Sequence, residues 1–134
     1  MARSDSLARV SLLSNLPPRE LSDLANAMRE HTYAPGEVVT GEGTGGVGFF
    51  VIVDGTANVS ISGREQSKLG PGDHFGEMAL IDGEARAATI TAETELRCLS
   101  MTAWEFRPFV KEHPDVAWAL LEGLVRALRS AGAA

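Results

Sequence analysis

The chain has 134 residues, 18 of them acidic and 12 basic, so its formal net charge is −6. This length suits one domain with its own core, and the acidic balance argues against a general electrostatic grip on nucleic acid or anionic lipid. A single cysteine, Cys98, excludes an internal disulfide framework and a multi-cysteine zinc site. We expect a cytoplasmic protein, because no apolar run reaches the roughly 18 residues of a membrane span and residues 1–13 lack a signal peptide's apolar segment.

Residues 1–30 have the pattern of helices. Leu7, Val10 and Leu13 predict one face of a short first helix. Pro18 suits the first turn of a second helix, where its missing N–H would have no partner in any case. The core-facing stripe of that second helix recurs every three or four residues, at Leu21, Leu24, Ala25 and Met28.

From about residue 31 to residue 101 the pattern changes to short strands separated by glycine-rich turns. Residues 49–53 are a continuous apolar run, and residues 57–61 alternate apolar with polar. Because Asp54-Gly55 stands between them, the two runs predict a β-hairpin. Further short strands are expected at 87–92 and 96–101. This succession is typical of a sandwich, jelly roll or barrel.

Residues 102–131 return to a helical pattern. Thr102 and Glu105 fit a capping box at the start of one helix, and we expect Trp104, within its first turn, to lie in the core. Pro114 begins the last helix. The wide apolar face of that helix is formed by Val116, Leu120, Leu121, Leu124, Val125 and Leu128.

The most informative segment for function is 75–90. Gly76–Leu80 can form a single turn whose free N–H groups make an anion cradle, and Arg86 is the preferred bidentate partner of a phosphate. Glu77 would repel that phosphate and is better placed to accept a hydrogen bond from a sugar hydroxyl. The segment therefore offers the parts of a nucleotide monophosphate pocket.

This segment, F-G-E-M-A-L-I-D-G-E-A-R-A-A-T-I, resembles the phosphate-binding cassette of cyclic nucleotide-binding domains. These are the modules of protein kinase A regulatory subunits, catabolite-activator-type bacterial regulators and cyclic nucleotide-gated channels. The resemblance covers nearly the whole chain and implies one domain, residues 1–134, of the α+β class. Its core would be a β jelly roll (double-stranded β-helix) of about eight strands at 31–101, with N-terminal helices at 1–30 and two C-terminal helices at 102–131.

The resemblance also implies roles for individual residues. Glu77 would take the ribose 2′-hydroxyl and Arg86 the cyclic phosphate, with help from the backbone N–H groups of Gly76, Ala79 and Ala87. Leu80 would be the apolar hinge contact to the following helix. The complete set of expected ligand-binding residues is Phe75, Gly76, Glu77, Met78, Ala79, Leu80, Arg86, Ala87 and Ala88.

Two positions bear on the identity of the ligand and on the strength of the match. Ala87 stands where cGMP-selective members tend to carry Thr, so the resemblance implies cAMP, with weaker cGMP binding. Ala85 replaces the proline that usually precedes the arginine, which loosens the loop but removes no ligand contact. The base would be capped from the last helix by Trp118, Leu121, Leu124 or Val125, although each of these could instead pack on the β-core or on a second subunit.

The expected function is a cAMP-binding regulatory module without catalysis, cofactor or metal. Ligand binding would draw the cassette inward and close the C-terminal helix over the base. No G-x-S-x-G motif or Cys/His pair indicates a nucleophile, and the three histidines are scattered. No nucleic-acid partner is expected, because only residues 130–134 remain after the last helix for a helix-turn-helix.

Two alternatives stay open at this point. Glu77 and Arg86 could form an ion pair in a domain that binds no nucleotide. The jelly roll would then be a scaffold, and the apolar C-terminal helix would serve a homodimer or a separate effector protein.

Overall fold

Two four-stranded antiparallel sheets face each other at the centre of the chain. The structure is a computed structural model that describes residues 3–10, 13–14, 16–41, 48–76 and 88–132. The strands are β1 (Arg29–Tyr33), β2 (Val38–Thr40), β3 (Gly48–Asp54), β4 (Ala57–Ile61), β5 (Arg64–Leu69), β6 (His74–Phe75), β7 (Thr89–Ala92) and β8 (Leu96–Thr102). The helices are α1 (Arg3–Ala8), α2 (Pro18–Ala27), α3 (Ala103–Glu112) and α4 (Pro114–Ser130).

The strand order is β1-β8-β3-β6 in the first sheet and β2-β7-β4-β5 in the second. Neighbours in each sheet are therefore mostly distant along the chain, as in a jelly roll. Eight strands among the described residues, with helices before and after them, confirm the predicted architecture.

Strand β3 supplies both sides of the core because successive side chains of a strand point to opposite faces. Phe49 and Val51 face the helices, and Phe50 and Ile52 face the second sheet. The helix-side cluster consists of Leu7, Val10, Leu13, Leu16, Leu21, Leu24, Ala25, Met28, Phe49, Val51, Leu99, Met101, Phe106, Val116, Ala119 and Leu120. The inter-sheet cluster consists of Phe50, Ile52, Ala57, Phe75, Ile90, Ala92, Leu96 and Cys98.

The N-terminal helices follow the sequence pattern with one difference. Pro18 is the first residue of α2, and the predicted stripe of that helix is buried. Leu7, Val10 and Leu13 are also fully buried, but α1 ends at Ala8. Val10 and Leu13 therefore reach the core through tight turns beyond the helix, with Val10 N–H donating to Leu7 O at 3.0 Å.

The predicted hairpin between β3 and β4 is wrong. Strand β3 pairs with β6 and β8, whereas β4 pairs with β5 and β7, so Asp54-Gly55 carries the chain from one sheet to the other. Gly55 has φ +90°, and a Cβ there would collide with Glu95 O. The Thr56 N–H donates to Thr94 Oγ1 at 3.0 Å, which fixes this crossing point against the β7–β8 turn.

The tight hairpin of the second sheet is one that the sequence interpretation missed. Strands β4 and β5 pair around Ser62 and Gly63, whose φ angles are 52° and 77°. Two central residues with positive φ define the turn type that matches the twist of paired strands. The Ser62-Gly63 pair is the sequence signal for this turn. The next strand, β5 (Arg64–Leu69), is mostly polar, and for that reason the sequence did not indicate it.

The C-terminal helices begin where the sequence predicts. Thr102 N–H and Oγ1 donate to Glu105 Oε1 at 3.2 and 2.6 Å, which confirms the capping box of α3. The expectation that Trp104 is a core residue is wrong, because 75% of its surface is exposed. Phe106, two residues later, takes the core position and contacts the Phe49 ring at a centroid distance of 5.7 Å.

Candidate functional site

The two ends of the predicted cassette leave the β-core at the same end of the sandwich. Strand β6 is antiparallel to β3, so the chain beyond Phe75 heads toward the start of β3. Strand β7 begins with Thr89 opposite Ser60, near the end of β4. Because β4 follows β3 after a reversal, the end of β4 lies at the same end as the start of β3. The described residues on either side of segment 77–87 therefore lie at the same end of the sandwich, Phe75 in one sheet and Thr89 in the other.

The first of these ends is firmly anchored. The Phe75 ring stacks on the Phe50 ring with a centroid distance of 4.9 Å and an interplanar angle of 7°. Gly76 follows with φ +96°, a left-handed conformation that L-residues with a Cβ rarely adopt. The turn at Gly76 thus directs the chain out of β6 and into the cassette, a role that the anion-cradle interpretation of this glycine did not anticipate.

A cavity of about 290 Å³ lies at this end of the sandwich, beside Phe50. Its size is close to the lower limit of small-molecule pockets, about 300 Å³. The apolar part of its wall includes Tyr33, Val39 and Phe50. Gly48 lies on its rim, where a Cβ would stand 2.9 Å from Met101 O, so the close approach of β3 to β8 requires glycine there.

Polar groups line the opposite part of the cavity. Arg29 Nη2 lies 3.6 Å from Glu105 Oε2, and both residues contribute to the wall. Two hydrogen bonds from Thr102 lower the pKa of Glu105, and the one from its side chain has a larger effect than the one from its backbone. Burial is the main cause that raises the pKa of Tyr33. At neutral pH the wall therefore carries a paired carboxylate and a neutral phenol.

The central cassette residues lie outside the described part of the chain. These are Glu77, Met78, Ala79, Leu80, Arg86 and Ala87. Three of the predicted residues are described. Ala88 is half-buried directly before β7, and Phe75 and Gly76 directly precede segment 77–87. The ligand contacts predicted for these residues stay predictions.

The predicted base-capping residues lie on a different surface. Trp118, Leu121 and Val125 line a shallow groove along the outer side of α4, together with Glu122 and Arg126. Trp118 is 64% exposed, and Leu124 is half-buried. None of the four lines the cavity beside Phe50. Helix α4 instead packs its other side, Val116, Ala119 and Leu120, into the helix-side cluster.

Comparison with known proteins identifies the family of this fold. The family model described as "Cyclic nucleotide-binding domain" matches residues 30–113. The chain belongs to the cyclic nucleotide-binding domain family. The resemblance drawn from the cassette is thus confirmed, and so is the prediction of a regulatory domain of this kind.

Relatives of this cyclic nucleotide-binding domain belong to several kinds of protein. A cyclic nucleotide-gated potassium channel of Mesorhizobium japonicum is 37% identical over 111 residues, which is 83% of this chain and 31% of the channel. The N-terminal domain of a transcriptional regulator from Streptomyces coelicolor A3(2) is 33% identical with a TM-score of 0.81, covering 96% of this chain and 95% of that one. The regulatory domain of Toxoplasma gondii PKA, solved with cAMP, is 25% identical with a TM-score of 0.79, covering 92% of this chain and 49% of that one.

This domain spans only about a third of the length of the curated channel that it matches. Its family is a regulatory one, whose domains serve different effectors in different proteins. Among the residues that the structure describes, no helix combines the length and the apolar character that crossing a membrane requires.

One group of potential metal ligands escaped the sequence interpretation. Glu20, Asp23 and His113 each bring a ligand atom to one place, within 4.8 Å of one another. The residues belong to opposite ends of the chain, and only the packing of α2 against the α3–α4 junction unites them. A spacing motif could not have revealed the group.

Proposed function

We propose that this domain is a cytoplasmic cAMP-binding regulatory module, with the ligand held between the cavity beside Phe50 and the cassette. The observation that carries the proposal is the juxtaposition of that cavity with both ends of the cassette in a chain of this family. Arg86 would bind the cyclic phosphate, Glu77 would accept a hydrogen bond from the ribose 2′-hydroxyl, and Gly76, Ala79 and Ala87 would donate backbone N–H groups.

Several features support cAMP as the ligand. A relative of the same fold was solved with cAMP. Ala87 offers no hydroxyl for a guanine, so cGMP would bind more weakly. The cavity wall beside Phe50 is apolar enough for a nucleoside, while the cassette supplies the charged contacts. A guanidinium is suited to a cyclic phosphate because its planar fork contacts two oxygens at once.

Ligand binding would act by a population shift. A ligand moves the balance between two conformations only by its differential affinity for them. The cassette would supply that difference by moving inward on the phosphate, with Leu80 as its apolar contact. Helix α4 would have to move to bring Trp118, Leu121 or Val125 over the base, because their groove lies away from the cavity beside Phe50.

The test is calorimetric titration of nucleotide-stripped protein with cAMP and cGMP. Charge-assisted phosphate contacts contribute about 1.5–3 kcal/mol each, so Arg86→Ala should weaken cAMP binding by about ten- to a hundredfold. Arg107→Ala, which removes an exposed arginine of α3, is the matched control and should bind like the parent.

Two results would contradict the proposal. The first is an unchanged cAMP affinity in Arg86→Ala, which would remove the phosphate assignment. The second is the absence of heat with either nucleotide in protein shown by mass spectrometry to retain no ligand, which would make Glu77 and Arg86 structural residues.

A second candidate function rests on the surface of α4. Trp118, Leu121, Val125 and Leu128 are all about half exposed or more and lie along one face of the helix. A contiguous apolar face of this kind marks an interaction site in many soluble proteins. We infer that this face would join a second copy of the chain or a separate effector.

Light scattering coupled to size-exclusion chromatography, with and without cAMP, separates the two functions. A nucleotide-independent dimer that takes up no ligand favours the interaction module. Leu121→Glu should then give monomers, whereas Ala127→Glu, an exposed position on the opposite side of α4, should not.

A further inference from the structure

Three metal-ligating side chains converge where α2 passes the junction of α3 and α4. Glu20 and Asp23 are three residues apart and share one face of α2, and His113 is the single residue between α3 and α4. His113 Nε2 lies 3.5 Å from Asp23 Oδ2. Glu20 completes the group, with all three ligand atoms within 4.8 Å of one another.

The orientation of the His113 ring is fixed from outside the group. Its Nδ1 lies 2.9 Å from Phe109 O, and the ring stacks on the Phe109 ring with a centroid distance of 4.0 Å. A carbonyl oxygen can only accept, so Nδ1 carries the hydrogen. The other ring nitrogen, Nε2, faces Asp23. Metal-binding histidines are commonly held in this way, with the other ring nitrogen donating to a carbonyl.

The group contains two carboxylates, those of Glu20 and Asp23. Glu20 Oε2 is buried and has no hydrogen-bond partner among the described residues. The other two members of the group are the Asp23 carboxylate and the Nε2 atom of His113. Leaving a buried acceptor unpaired is unfavourable, and a cation among the three atoms would satisfy all of them together.

The ligand types and the separation of His113 from Asp23 match a transition-metal ion. Two ligands that bind zinc at about 2.0–2.2 Å in a tetrahedron stand about 3.3–3.6 Å apart, which is the separation of His113 Nε2 from Asp23 Oδ2. Imidazole favours zinc, nickel or copper over magnesium and calcium. We propose that Glu20, Asp23 and His113 bind one divalent transition-metal ion, with Zn²⁺ as the expected occupant and a fourth position open to water.

Such a site would join α2 to the corner from which α4 begins. It is independent of the proposed nucleotide site, because none of its residues belongs to the cassette or lines the cavity beside Phe50. A bound ion would tie the N-terminal helix to the C-terminal pair at one point. Metal occupancy would thereby restrict the movement of α4 relative to α2.

The test is titration of the metal-free domain with ZnCl₂ alone, followed by calorimetry and by thermal unfolding. We expect one equivalent to bind and the Tm to rise. His113→Gln should lower the Zn²⁺ affinity by about tenfold or more. His31→Gln, which removes an exposed histidine of β1, is the matched control and should bind like the parent. Co²⁺ in place of Zn²⁺ should give the visible absorption of a tetrahedral site, absent in His113→Gln.

The proposal is overturned if the parent domain shows no saturable Zn²⁺ binding, which would leave His113 and Asp23 as a side-chain contact between α2 and the α3–α4 junction only. It is also overturned if His113→Gln binds like the parent. Should that variant fail to fold, Asp23→Asn and Glu20→Gln replace it, since both change partly exposed side chains of α2. Unchanged affinity in both of these would equally rule the site out.

Discussion

The two faces of the first sheet contact different parts of the molecule, as the adjacent residues Phe49 and Phe50 of β3 show. Phe49 points into the helix-side cluster, where it meets Phe106 and is almost fully buried. Phe50 points into the inter-sheet cluster, where it stacks on Phe75 and lines a cavity. The helix-side cluster joins residues from both ends of the chain into one core. The inter-sheet side leaves a cavity at the end where the cassette is attached, and the proposed ligand site lies there, on the opposite face of the sheet from the helix-side cluster.

The largest expected effect tests this separation directly. Phe49→Ala should lower the free energy of unfolding by about 3–5 kcal/mol, since it opens a cavity where Phe49 is almost fully buried in the helix-side cluster. Phe50→Ala should cost less, at or below about 3 kcal/mol, because the site already borders a cavity that water can enter. Urea denaturation of both variants measures the difference. A larger loss in Phe50→Ala would mean that the inter-sheet side is the main source of stability.

A smaller effect concerns the thiol at the centre of the inter-sheet cluster. Cys98 is fully buried, and burial raises its pKa from 9.0 to about 12. The unfolded chain would ionise this thiol first, so its contribution to stability is complete below pH 9 and is lost as pH rises from 9 toward 12. The parent should therefore lose stability over that range more steeply than Cys98→Ala.

Thiol reactivity provides a second measurement of the same feature. A thiol-specific reagent should modify Cys98 slowly in the folded protein and at once in urea, because the thiolate is the reactive form. Rapid modification under native conditions would show that the inter-sheet cluster opens readily. The inter-sheet cluster would then contribute less to stability than the helix-side cluster.

The smallest expected change in stability concerns Thr102, at the start of α3. Thr102→Ala removes the Oγ1 hydrogen bond to Glu105 at the start of α3 and should cost about 1 kcal/mol of unfolding free energy. Thr32→Ala, on the exposed side of β1, is the control and should change stability by less than about 0.5 kcal/mol.

The capping interaction also gives this variant a pH signature. The hydrogen bonds from Thr102 lower the pKa of Glu105 below 4.5 in the folded state. Their contribution is therefore present above pH 4.5 and lost as pH falls through the folded value. The stability gap between the parent and Thr102→Ala should narrow in acid. A constant gap would show that the loss comes from packing instead of the cap.

The features that the sequence predicted correctly are mostly local. The start of α2 at Pro18 and the Thr102–Glu105 box depend on residues within one helical turn, so their chemistry is visible in the sequence. The overall fold was predicted from the eight-strand pattern and from the cassette motif. That motif also supplied the site residues, which the geometry of the described chain does not test.

The errors have a common physical origin. Asp54-Gly55 has the chemistry of a hairpin turn, but tertiary pairing sends its two strands into different sheets. Trp104 is apolar, yet its position in the first turn of α3 points it to solvent while Phe106 fills the core. The group of Glu20, Asp23 and His113 depends on how distant helices pack. Local patterns carry no information about such contacts.

The strands at the sheet edges affect how readily copies of the chain associate in solution. Strands β1 and β5 lie at sheet edges, and both carry exposed charges, including Arg29 and Glu30 on one and Arg64, Glu65 and Lys68 on the other. Lys68 is held by Glu93 at 2.7 Å, so its charge is fixed beside the edge. Charged edges resist the addition of a foreign strand, because docking would strip water from ions. The same polar sequence that hid β5 from prediction therefore disfavours the addition of a foreign strand at that edge.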